Sequence, residues 1–91
     1  MQDKKDIKEN KKILLNALAK TIKELRGEQT QFQFATENDI STDIISKCER
    51  GLKDPQFTTL YKIAEGFDLN FAEFALKIQQ NIPQGINLIE K

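Results

Sequence analysis

Few side chains in this sequence have the chemistry that catalysis or metal binding requires. Its 91 residues include no histidine and one cysteine, Cys48, so the usual zinc and copper ligand sets are missing. No acid and base pair stands out that would replace histidine near neutral pH. The four glycines lie far apart, which excludes a phosphate-binding glycine loop. We therefore expect a binding protein that uses no metal or cofactor, and not an enzyme.

Polar side chains instead mark the starts of two short predicted helices. Thr30 and Gln33 have the spacing of a capping box, in which each side chain bonds to the backbone of the other residue. This helix is expected to end at Asn38, and a second helix, capped by Ser41, is expected to end near Gly51. Two short helices joined by a three- or four-residue turn are typical of a helix-turn-helix, in which the second helix projects outward.

Three more helices are predicted around this pair. Apolar residues recur at helical spacing up to Leu25, which predicts a first helix from about Asn10, its N-cap, to Arg26. The last helix is capped by Asn70. The fourth helix carries Leu60, Ile63, Ala64 and Phe67 on one face, and the last helix runs through Phe71, Phe74 and Ile78. The expected fold class is all-α, with five helices and no convincing internal strand.

The length and composition fit one small domain. Residues 1–12 are assigned to a charged N-terminal extension, residues 13–79 to the helix-turn-helix domain and residues 80–91 to a C-terminal tail. In the tail, Ile86 and Leu88 alternate as a short strand would, so the tail is either a frayed terminus or a contact with a second copy. No apolar run approaches the roughly 18 to 20 residues of a membrane span, and no secretory signal is visible. A cytoplasmic protein is expected.

Several stretches at fixed spacing resemble the lambda-repressor and Cro type of DNA-binding domain. The resemblance covers residues 18–74, and its specificity comes from the combination, because each stretch alone is weak. The stretches are Leu25-Arg26, Thr30-Gln31-Phe32-Gln33-Phe34-Ala35, Ile40-Ser41, Ile45-Ser46-Lys47-Cys48-Glu49-Arg50-Gly51, Pro55 and Leu60-Tyr61-Lys62-Ile63-Ala64-Glu65.

The resemblance implies a five-helix fold and a role for each exposed polar position. The residues expected at the DNA phosphates are Thr30, Gln31, Ser41, Arg50 and Lys53. The residues expected at base edges in the major groove are Thr42, Asp43, Ser46 and Lys47. For Thr30, Gln31 and Ser41, a local role at the start of a helix is the alternative. Glu49 is expected to pair with a basic residue of the first or second helix, and Cys48 to face the core.

The charge distribution is unusual for a DNA-binding domain. The chain has no net charge, and residues 27–44 carry −4, although residues 1–26 carry +4 and residues 45–53 carry +2. Asp39 and Asp68 stand where the family favours glycine, but aspartate tolerates the left-handed backbone of such turns. A basic rim toward the DNA backbone is expected from Lys20, Lys23, Arg26, Lys47, Arg50 and Lys53. The lysine-rich start is either a solvated helix extension or an arm that contacts DNA.

The expected function is sequence-specific binding of double-stranded DNA by a transcriptional regulator, a repressor that reads a palindromic operator as a dimer. One such module buries only about 600 to 1,000 Å² on DNA, which is why a dimer is expected. The alternative is a protein-interaction module, or an antitoxin-like partner of another protein, with weak or no DNA binding. The expected dimer contact consists of Phe71, Phe74, Ile78, Ile82, Ile86, Leu88 and Ile89.

Overall fold

The computed structural model describes residues 4–89, so the ends of the extension and of the tail (residues 1–3 and 90–91) lie outside the described range. Within it the chain forms five helices and no strand, which confirms the all-α prediction. None of these helices combines the length and apolar character needed to span a bilayer. The helices are α1 (Lys4–Arg26), α2 (Gln31–Glu37), α3 (Thr42–Glu49), α4 (Phe57–Gly66) and α5 (Phe71–Gln80).

The first helix is longer than predicted. It begins at Lys4, so Asn10 lies within α1 and the prediction that Asn10 is its N-cap is wrong. Lysine and glutamate favour helix, and half-buried Ile7 extends the apolar stripe one turn toward the N-terminus. Asn10 is buried and its amide donates to the carbonyl oxygen of Asn87, 3.0 Å away. Residues 4–12 of the charged extension are thus the first part of the helix that runs into the domain.

The core lies where α1, α2, α3, α4 and α5 meet. Helix α1 packs against α3 and α5, α2 packs against α3, and α4 packs against α5. The largest apolar side chains at the centre are completely or almost completely removed from solvent, and each helix contributes at least one. They are Ile22, Phe34, Ile45, Ile63 and Phe74.

The turns and caps follow the predicted chemistry. Asp39 and Asp68 adopt positive φ values of 54° and 59°, as expected for aspartates at positions where glycine is favoured. Capping boxes form at Thr30, with Gln33, and at Asn70, with Glu73. These contacts satisfy backbone N–H groups at the starts of α2 and α5, which otherwise have no partner within the helix.

Within residues 81–89 the tail does not form the short strand that the alternation of Ile86 and Leu88 would permit. It leaves α5 at Asn81, whose amide donates to the Thr21 hydroxyl (2.8 Å) and to the Glu24 carboxylate (3.0 Å) on α1. Farther along, the bond from Asn10 to Asn87 holds the tail against α1. Side-chain hydrogen bonds hold the tail against helix α1. Its backbone therefore has no neighbouring strand with which to form the hydrogen bonds of a sheet.

Candidate nucleic-acid interface

Helix α3 has one buried side and one accessible side. It follows α2 after four residues, 38–41, and it contacts both α1 and α2. Ile45, Cys48 and Glu49 form its buried side. The predicted DNA-contacting residues of this segment lie on the accessible side: Ser41, Asp43, Lys47 and Arg50 are exposed, and Thr42 and Ser46 are half-buried. The segment therefore presents a continuous polar surface about two turns long.

Two of these side chains are paired with each other. The Lys47 ammonium lies 3.0 Å from the Asp43 carboxylate, one turn earlier on α3, and both are exposed. Such a surface pair contributes only about 0.2 to 0.5 kcal/mol, so either group can exchange its partner at little cost. The pair thus offers a hydrogen-bond acceptor and a donor side by side on the accessible face.

An ion pair beneath this surface fixes α3 on α1. Arg26 donates from Nε and Nη2 to the two carboxylate oxygens of Glu49, at 2.7 Å each, in a bidentate arrangement. The Glu49 side chain is only 2% exposed, and the bond to Glu49 raises the pKa of Arg26. Gln31 joins the network, since its Nε2 donates to Glu49 at 3.2 Å. The Glu49 carboxylate of α3 thus accepts hydrogen bonds from Arg26 of α1 and from Gln31 of α2, so the network joins three helices.

This network changes the role of two residues that were predicted to contact DNA, Arg26 and Gln31. Glu49 pairs with a basic residue of the first helix, as expected, but that residue is Arg26, which was assigned to the basic rim. With its side chain only 17% exposed and engaged on Glu49, Arg26 does not belong to that rim. Gln31 is half-buried, and one of its two amide hydrogens is committed to Glu49. The second amide hydrogen of Gln31 can still donate to another acceptor.

The two residues at the N-cap positions, Thr30 and Ser41, differ in whether the side chain bonds to its own helix. The Thr30 hydroxyl accepts from the Gln33 N–H at 3.0 Å, so its oxygen already serves the start of α2. Ser41 stands at the N-cap position of α3 with extended backbone, yet its side chain makes no capping hydrogen bond. Ser41 is exposed at the edge of the accessible face and retains its hydroxyl for another partner. Thr30 therefore fits the local role and Ser41 fits the contact role better.

A groove runs between α1 and the end of α3. Its lining includes Asn16, Lys20, Lys23 and Arg50, and we call it the basic groove. The two lysines and Arg50 are exposed, whereas the one carboxylate in the lining, that of Glu49, is neutralised by Arg26. The exposed charge of the groove is therefore positive. Lys53 is also exposed, in the loop that follows α3.

The predicted dimer contact is only partly exposed. Phe74 is completely buried in the core, so assigning it to a contact with a second copy was wrong; the inward face of α5 needs a large side chain there. Sequence reasoning missed that half-buried Phe71, one of the predicted contact residues, packs with the exposed rings of Phe57 and Tyr61. The spacing of Phe57 and Tyr61, four residues apart on α4, was the signal that would have found it.

Cys48 lies in the core, as predicted, at 1% exposure. Removal from water disfavours the thiolate and raises the pKa of Cys48. A thiol in this state is a poor nucleophile. Cys48 therefore acts as a small apolar side chain that helps to seat α3.

No family model, curated protein or solved structure matches this chain. The arrangement of its own residues is therefore the basis for a functional argument. That arrangement combines a short helix with an accessible polar face, a positive groove beside it and an ion-pair network that holds the helix in place. Such a surface can donate to and accept from a polar, negatively charged partner.

Proposed function

We propose that this chain is a sequence-specific regulator of transcription that binds double-stranded DNA through a helix-turn-helix formed by α2 and α3. The observation that carries the proposal is the accessible polar face of α3, from Ser41 to Arg50, on a helix whose other side is anchored in the core. A helix with short polar side chains on its accessible face fits the width of the major groove. The arrangement of five helices is also compatible with the lambda-repressor type of domain.

The residues of this face have distinct tasks in the proposal. Ser46 and Lys47 approach base edges, with Thr42 at the start of the helix. Asp43 accepts a hydrogen bond from a cytosine amino group, which it can do by giving up its weak pairing with Lys47. The basic groove contacts phosphates, as Lys20, Lys23 and Arg50 lie on the same side of the protein as the end of α3.

The neutral net charge sets the expected mode of binding. A chain with equal numbers of acidic and basic residues gains little from the general attraction to phosphate, so nonspecific binding is weak. Recognition then depends on local contacts by α3 and by the basic groove. Two copies on a palindrome double these contacts and place two recognition helices about 34 Å apart, in successive major grooves. A repressor acting as a dimer is the form of regulator that we propose.

The test is a fluorescence anisotropy titration with duplex DNA from upstream of the chain's own gene, at about 50 and 200 mM salt. Replacing Lys47 with alanine should weaken specific binding about tenfold or more, since it removes a base contact and leaves the Asp43 carboxylate unopposed at the duplex. Lys77→Ala is the matched control, because Lys77 lies on α5, in a groove with Thr21 and Glu24 of α1. Equal effects of the two substitutions would contradict the proposed interface.

A second candidate is a protein-interaction module, such as the antitoxin-like partner of another protein. Two observations favour it. Segment 27–44 contains four acidic residues and no basic residue, and Phe32 on α2 is 66% exposed. An exposed aromatic side chain among acidic residues is typical of protein contacts rather than of phosphate contacts. Failure to bind any duplex even at low salt would favour this candidate over DNA binding.

A further inference from the structure

A group of three aromatic rings stands apart from the core. Phe57 and Phe71 pack edge to face with centroids 5.1 Å apart, and Tyr61 stacks on Phe71 at 6.1 Å with an interplanar angle of 12°. Phe57 and Tyr61 also meet edge to face at 6.3 Å. We call these residues the aromatic cluster. None of them belongs to the buried core or to the side chains packed against it.

Two rings of the cluster are exposed and the third, that of Phe71, is half-buried, although the rings hold one another in place. Phe57 is 62% exposed and Tyr61 is 48% exposed. Phe57 is the first residue of α4 and Phe71 is the first residue of α5, so the backbone of both residues is fixed by a helix. Rings that are already ordered lose little conformational freedom when a partner covers them, which favours binding. An ordered, exposed aromatic surface is the usual centre of a protein contact.

We infer that the aromatic cluster is the contact through which two copies of this chain form a twofold dimer. The inference deepens the proposed function and rests on it, because a palindrome read by α3 requires two copies related by a twofold axis. Of the residues from which the sequence predicted the contact, only Phe71 belongs to the cluster. Residues 50–56 connect α3 to Phe57, and the cluster shares no residue with the face from Ser41 to Lys47.

The lack of charge on the aromatic cluster suits a second copy as the partner. In a twofold contact each surface meets its own image, so any net charge on it is repelled. The aromatic cluster contains no charged side chain, and the adjacent loop carries one charge of each sign, on Lys53 and Asp54. By contrast, Phe32 is equally exposed but lies in segment 27–44, which carries −4. Self-contact at Phe32 would bring two acidic surfaces together.

The exposed area is consistent with the centre of a dimer interface. Phenylalanine and tyrosine side chains bury roughly 150 to 250 Å² each when fully covered, so Phe57 and Tyr61 offer roughly 160 to 280 Å² per copy. Two copies then bury roughly 300 to 550 Å² from these rings alone. A standard interface totals about 1,600 Å², of which the central aromatic residues supply a part and polar residues around them the rest.

The wild-type chain offers a probe that needs no substitution. Tyr61 is the only tyrosine, and the chain has no tryptophan, so intrinsic fluorescence reports on the cluster alone. We expect quenching of Tyr61 by acrylamide to decrease as the protein concentration rises through the range in which sedimentation equilibrium shows a dimer. Dimer formation with unchanged quenching would overturn the inference. A chain that remains monomeric at concentrations up to about 1 mM would overturn it as well, since such a dimer would be too weak to matter.

Two matched substitutions complete the test. Phe57→Ser should raise the dimer dissociation constant at least about tenfold, because the residue is lost twice in a twofold contact, while Phe32→Ser should leave it unchanged. Circular dichroism confirms that both variants remain helical. A dimer that survives Phe57→Ser, or one that Phe32→Ser or Leu88→Ser disrupts instead, would refute the cluster as the contact. If the dimer behaves as expected but no duplex is bound, the interface stands and the proposed DNA-binding function fails.

Discussion

Replacing Arg26 with leucine tests the network that positions α3. In the wild type, Glu49 is 2% exposed and receives two charge-assisted bonds from Arg26 and one bond from Gln31. Leucine keeps the packing of the arginine stem but removes both strong bonds and the compensating charge. The Glu49 carboxylate would then be buried with only the Gln31 amide as a donor.

The expected loss of stability is about 3 to 5 kcal/mol, the cost of leaving one charge of a buried pair uncompensated. A chain of this length has about 5 to 13 kcal/mol of total stability, so the variant should be marginal at room temperature. In a domain of this size, about 1 kcal/mol corresponds to a shift of 4 to 8 °C, so the melting temperature should fall by at least about 12 °C.

The assay is urea and thermal unfolding followed by circular dichroism. Lys23→Leu, at an exposed position one turn earlier on α1, is the matched control and should change stability by no more than about 0.5 kcal/mol. The double variant Arg26→Leu, Glu49→Leu should recover most of the loss, because an apolar pair can replace a buried ion pair without much cost. A loss below about 1 kcal/mol in Arg26→Leu, or additive losses in the double variant, would refute the reasoning.

Two further predictions concern the caps and the buried thiol. Asn70→Ala should cost about 1 kcal/mol in the same unfolding assay, because the Asn70 side chain accepts from the Glu73 N–H at 2.8 Å, whereas Ser41→Ala should cost distinctly less because Ser41 makes no such bond; equal losses would contradict this. Cys48 should resist iodoacetamide in the native protein at about pH 8.5, where a free thiol is half ionised, and react readily in urea. Because burial raises the Cys48 pKa, its contribution to stability is present below about pH 8.5 and declines as the pH rises further, and equal labelling rates in the two states would contradict the assignment.

Local chemistry made much of the fold predictable. The capping box predicted at Thr30 and the cap predicted at Asn70 depend only on residues close in sequence, and both form, Asn70 with a reciprocal bond from Glu73. The left-handed turns at Asp39 and Asp68 follow from the tolerance of aspartate for positive φ. Patterns confined to one helix, such as the inward placement of Cys48, were also readable because a helical period determines which side chains share a face.

Contacts between distant residues were not readable in the same way. Asn10 resembles an N-cap in sequence, but its amide is satisfied by Asn87, 77 residues later, and the helix continues through it. Arg26 resembles an exposed basic residue until Glu49 is placed beside it by the packing of α3 on α1. Similarly, the aromatic cluster needs Phe71 of α5 to meet α4, which depends on how the two helices pack. Each of these outcomes depends on tertiary structure.

The central claim is that the accessible face of α3 enters a DNA groove. Its most direct test is the mapping of amide chemical shifts by nuclear magnetic resonance while duplex DNA from upstream of the chain's own gene is added. We predict that the largest changes fall on residues 41–53, with smaller changes at Lys20 and Lys23, and that α5 between Phe74 and Gln80 is unaffected. Changes centred on α5 or the tail, or none at all at low salt, would contradict the claim.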